Sequence, residues 1–219
     1  MAVRTADGKS DPRLSLVPID LPTKAEAPLS NVTMDCNGVT LRLPNHSVNP
    51  IHFESLTTVW LNHGSLECRN NSQVTSIVDT LFTDKKAQKF FGKQLLSSKF
   101  TLMQAAMNAT PDQVKWWRFR NAANERDEEL LVIKSRALAF IPSSHASAMR
   151  PIYTIASGEI RGFQIGDPGV PPYDVRVDGF DTADRHFELD ITGLKGHGAI
   201  VIQPELNAMI LSIQPTSAR

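Results

Sequence analysis

No stretch of about 18 consecutive apolar residues occurs in this chain, so it holds no segment able to cross a bilayer as a single helix. The opening residues Met1-Ala2-Val3-Arg4-Thr5-Ala6-Asp7 carry no apolar core of a secretory signal. On that reading the cytoplasm is slightly favoured, and a secreted or periplasmic location follows if a leader has been removed. Four Asn-X-Ser/Thr sequons begin at Asn31, Asn45, Asn70 and Asn108, and without a leader they weigh little.

Cysteine is nearly absent. Two residues, Cys36 and Cys68, are too few for a disulfide scaffold. They suit one bridge in an oxidising compartment or two thiols in a reducing one, and the sequence leaves both open. Motifs that carry chemistry are missing as well. There is no Gly-x-Ser-x-Gly nucleophile elbow and no His pair at helical metal-binding spacing. Gly193-Leu194-Lys195-Gly196-His197-Gly198 lacks the phosphate-loop spacing and precedes an expected strand rather than a helix. No cofactor is expected. Net charge is zero, so no overall field draws the chain to nucleic acid or membrane.

What is present is an ordinary globular composition. Of the 219 residues, 41% are hydrophobic and 21% charged, enough apolar side chain to build a buried core. The zero net charge conceals a partition. From Ser72 to Arg120 eight basic residues face three acidic ones, and from Pro151 to Arg219 five basic residues face nine acidic ones.

Local patterning predicts hairpins at both ends. Asn37-Gly38 fits a two-residue type I′ turn, whose central residues both need positive φ. In that register Cys36, Met34 and Val32 face Val39, Leu41 and Leu43 on one side, with Thr33, Asp35, Thr40 and Arg42 on the other. A second pair is expected at Leu56–Leu61 and Ser65–Cys68, and a third at Ile152–Ala156 and Glu159–Ile165 around Ser157-Gly158. Alternation in Tyr173–Val177 and Phe187–Ile191 reads as two half-buried antiparallel strands. Ala199–Ile202 reads as an apolar strand, and Pro204 starts a final helix whose apolar face is Leu206, Met209, Ile210 and Ile213.

The middle reads as helical. Ser72 caps a face of Val74, Ile77, Val78, Leu81 and Phe82, and Ala87, Phe90, Phe91 and Leu95 mark the next helix. Ser98 caps a third helix, carrying Leu102, Met103, Ala106 and Met107. Thr110-Pro111-Asp112-Gln113 has the form of a capping box with proline at the first helical position. Leu130–Ile141 fits helix or strand and is read as helix to about Ser135. The expected fold class is therefore α+β, with antiparallel β-hairpins at both ends packed with a central helical segment at about 72–135 and a short C-terminal helix. Residues 1–29 read as an extended or flexible arm, and 30–219 as one domain.

Three groups of side chains offer candidate sites. Asp178, Asp181, Asp184 and His186 fall within nine residues, a supply of oxygen and imidazole ligands for a metal, although the spacing is not that of a calcium loop and Asp favours turns for its own hydrogen bonding. His63, His145 and His186 are the imidazoles on which a hydrolase-type site would draw, with a nearby Asp or Ser. Lys85, Lys89 and Lys93, followed by Trp116, Arg118 and Arg120, mix bases and aromatics as surfaces for anionic polymers or membranes do. A lysine face is more often a solvated helix surface, and one Trp of the pair belongs to a core. The favoured function is a non-enzymatic protein-interaction or assembly domain, with another protein or a second copy as partner in preference to nucleic acid. A hydrolase-type enzyme and an anion-binding domain are the alternatives.

Overall fold

The computed structural model describes residues 16–24, 26–69, 97–107, 152–171, 173–194 and 197–216. The chain divides into two compact units. One joins Met1–Val17 to Gln73–Ile152, and the other joins Pro18–Ser72 to Tyr153–Arg219.

In the first unit the described element is helix α1, Lys99–Met107. It begins where the sequence places a cap. Ser98 Oγ accepts the Thr101 N–H at 3.0 Å, satisfying one of the free donors of the first turn. The expected helices on either side of it, with Lys85, Lys89, Lys93, Trp116, Arg118 and Arg120, lie outside the described residues, as do His145 and Leu130–Ile141.

The second unit is almost entirely β. A short strand β1 (Leu16–Pro18) lies at its chain boundary, followed by β2 (Leu29–Cys36), β3 (Val39–Pro44), β4 (Ile51–Phe53), β5 (Leu56–Leu61) and β6 (Gly64–Arg69). After the long excursion through the first unit come β7 (Ile152–Ser157), β8 (Ile160–Ile165), β9 (Val175–Phe180), β10 (His186–Gly193), helix α2 (Gln203–Leu211) and β11 (Gln214–Pro215). Seven strands form one sheet in the order β7-β8-β9-β10-β6-β5-β4, and β11-β3-β2 form a second. The strand pairs β2–β3, β4–β5, β5–β6, β6–β10, β8–β9, β9–β10 and β3–β11 are all antiparallel.

The Asn37-Gly38 turn has φ of 44° and 85°, the two positive values its turn type demands. Cys36 pairs with Val39, Met34 with Leu41 and Thr33 with Arg42, as the patterning predicts, before the register shifts between Thr33 and Leu29. The second hairpin turns through Asn62-His63 and pairs Leu61 with Gly64. The third turns at Gly158-Glu159, one residue later than expected, with Gly158 supplying φ of 54°.

The core lies between the two sheets and α2. Met34, Cys36, Leu41 and Leu43 come from the small sheet, and Val59, Leu66, Val175, Val177, Phe187, Leu189 and Ile191 from the large one. Leu206, Met209 and Ile210 add the face of α2 that the periodicity marks. Cys36 and Cys68 form a disulfide, Cα–Cα 5.6 Å, which ties β2 of one sheet to β6 of the other. Ile19 and Leu21, from the segment read as an arm, pack against this core, and the Ile19 N–H donates to the Thr154 carbonyl of β7 at 3.1 Å.

Two expectations are corrected here. The fold is not a helix-centred α+β packing. The described chain is mostly β, two antiparallel sheets with only two short helices, and the core of the β unit draws on none of the described residues of the 72–135 segment. The physical reason is that a second sheet covers the first, so the hairpins from both ends bury their apolar faces on each other. Nor is Ala199–Ile202 a strand. Ile200 and Val201 enter the core from irregular backbone, and the Ile200 carbonyl accepts from His46 Nε2 at 3.1 Å instead of from a neighbouring strand.

Candidate functional site

The strand registers decide which side chains share the face of the large sheet turned away from the core. Phe53 pairs with Leu56 and Ile51 with Thr58, while Trp60, Thr58 and Leu56 pair with Ser65, Glu67 and Arg69. Glu67 pairs with Asp190, Asp190 with Arg176, Glu188 with Asp178, and His186 with Phe180. Read from the edge strand β4 inward, this face is first apolar and exposed, then charged, then polar and buried.

The buried end is a closed ion-pair array. The Arg176 guanidinium donates to both Asp178 oxygens, Nε to Oδ2 at 3.0 Å and Nη2 to Oδ1 at 3.1 Å, and its Nη2 also lies 2.7 Å from Glu188 Oε2. His186 Nε2 donates to Asp178 Oδ1 at 2.9 Å. Asp178 is fully buried and His186 nearly so. Burial alone would raise the Asp178 carboxyl, but the Arg176 charge and the His186 hydrogen bond outweigh it and hold the group down at about 2. Burial likewise disfavours the Arg176 cation, and Asp178, Glu188 and Asp190 overcome this to raise its pKa. Asp178 and Arg176 therefore stay ionised at neutral pH. The Asn37 amide, at the β2–β3 turn, donates to the His186 carbonyl and fastens the small sheet to this end of β10.

The chain thus uses its Asp/His segment in two ways. Asp178 and His186 are strand residues brought together across the β9–β10 hairpin. Asp181 and Asp184 stay in the turn. Asp181 accepts the Arg185 N–H at 2.8 Å and the Arg185 Nε at 2.6 Å, and Asp184, with φ of 61°, lies 3.7 Å from Arg161 Nη2. Among the described residues no three His, Cys, Asp or Glu side chains converge on a common point. His63 stacks on His197, ring centroids 4.6 Å apart, at the end of β6 whose first residue, Gly64, pairs with Gly193. His186 begins the same β10 that Gly193 ends, so the two imidazoles stand roughly 24 Å apart along the strand.

The exposed end is different in kind. Phe53 is 63% exposed, Trp60 50% and Ile51 42%, and Val48, whose N–H donates to the Trp60 carbonyl at 3.0 Å, is 58% exposed. Beside them Arg69 is shared by two carboxylates, Glu67 at 3.0 Å and Asp190 at 3.5 Å, all three solvent-accessible. Among the described strands β4 is the last of its sheet. It has only three residues and follows Pro50, which carries no N–H, and both features blunt the edge against strand addition. The face is therefore open to side-chain contact rather than to extension of the sheet.

The sequence places Trp60 in a strand but gives no sign of its exposure, because Thr57, Thr58 and Val59 beside it break clean alternation. The signal for the ion-pair array is stronger. Arg176, Asp178 and His186, Glu188, Asp190 recur at every second position of adjacent strands, which puts opposite charges on one face once the pairing is known. Comparison with protein-family models, with curated proteins and with solved structures finds no match to this chain.

Proposed function

We propose that this chain is a non-enzymatic interaction domain that docks another protein surface on the β4–β5 end of its large sheet. One observation carries the reading: Ile51, Phe53 and Trp60 stand exposed on one face of the sheet. Burying an aromatic side chain removes ~150–250 Å² from water, so Phe53 and Trp60 offer roughly 200 Å² as they stand, before Ile51 and Val48 are added. With them the patch reaches a few hundred Å², the size of the largest apolar patch on a typical protein surface, which is often functional. A stable interface needs about 800 Å² per partner, so the patch forms the centre and the Glu67–Arg69–Asp190 strip the rim. Aromatic residues at the centre and paired charges around them are the usual composition of such a surface. The Asp178–His186 pair supports no hydrolytic reading, since its atoms are buried within the sheet and engaged with Arg176.

The test uses the chain in extracts of the cells that make it. Wild type elutes from a sizing column well above its 24.2 kDa mass, and Phe53→Ser returns to the monomer position with its melting temperature unchanged. Wild type eluting as a monomer, or a variant that co-elutes with wild type, contradicts the proposal.

A further inference from the structure

The partner's chemistry is constrained by charge. The β unit, residues 18–72 with 153–219, holds eight Lys and Arg against fourteen Asp and Glu, a net charge of −6. The remainder of the chain, 1–17 with 73–152, holds fifteen against nine, a net charge of +6. The rim of the exposed face has the sign of its unit, with two carboxylates, Glu67 and Asp190, on the single guanidinium of Arg69. Its apolar centre wants an apolar counterpart, and its rim a basic one. The chain itself carries that combination at Lys115-Trp116-Trp117-Arg118-Phe119-Arg120.

Resting on the reading above, we propose that the face takes the basic half of a second copy of this chain, in a head-to-tail contact. A two-fold pairing of identical faces is disfavoured, because it would appose two acidic rims in units that each carry −6. A head-to-tail contact joins opposite signs.

Sedimentation of the purified full chain tests this. At about 0.1 M salt the average mass rises with concentration above 24.2 kDa, and at about 1 M salt, where the screening length has fallen from about 10 Å to about 3 Å, the chain returns toward monomer. Phe53→Ser weakens association about 30-fold, the equivalent of a 2 kcal/mol hot spot, and Glu67→Lys with Asp190→Lys abolishes it. Glu159→Lys, on the exposed β7–β8 turn, leaves it within about twofold, as additive surface effects allow. A chain that is monomeric at low salt overturns the proposal, as does one whose oligomers ignore salt or Phe53→Ser. A purified chain that is monomeric alone yet large in extracts discards the second copy and keeps the face. Monomer in both discards the face as well.

Discussion

Asp178 shows how much of this molecule is decided at single positions. Its carboxylate is fully buried and survives as an ion because Arg176 and His186 both meet it. Its folded pKa of about 2 lies below the 3.8 of the free side chain, so the stability it contributes is fully present above about pH 4 and is lost as pH falls through 2. The contribution at pH 7 is about 2 kcal/mol. Asp178→Asn is expected to lower stability at pH 7 by about 3–5 kcal/mol, the cost of leaving a buried guanidinium short of a partner. Urea unfolding between pH 7 and pH 2.5 checks both points, and the gap between wild type and variant narrows on acidification. A gap that stays constant with pH would remove Asp178 as the titrating group. The sequence shows these residues as a cluster but not their division of labour. Asp178 and Asp184 look alike along the chain, and only the β9–β10 register separates the strand residue from the turn residue.

At the scale of elements, hairpins were the most legible feature, because turn chemistry and alternation are local. Asn37-Gly38 dictates positive φ, and the apolar alternation of β2 and β3 then leaves one sensible register. Helix α1 was equally local, announced by Ser98. Cross-strand fitting was not legible. Phe187 packs directly over Gly179, and a β-carbon added there would lie 2.0 Å from the ring. Gly179→Ala is therefore expected to cost about 1–3 kcal/mol through overpacking. Phe187→Leu in the same chain should recover part of that loss, and a double-mutant cycle by chemical denaturation measures it. Simple additivity of the two changes would mean that the ring and the glycine do not meet. The helix-centred packing was misjudged for a related reason: periodicity reports that a face must be buried, not against what.

For the whole molecule, the sequence contained both segments of the β unit and the charge partition but not the pairing that joins them. β6 and β10 are separated by residues 70–185 yet share five register pairs. The disulfide ties the two sheets across 32 residues, and replacing Cys36 and Cys68 together by Ser should lower stability by about 3–4 kcal/mol, visible as a lower melting temperature under non-reducing conditions. No change would place that bond outside the native state. Position-resolved photo-crosslinking tests the exposed face most directly. A photoreactive residue at Phe53, introduced in the cell that makes the protein, should give one discrete adduct that disappears with Trp60→Ser, whereas the same residue at Glu159 gives none. Equal labelling from both positions, or none from Phe53, would contradict the claim that this end of the sheet is an interface.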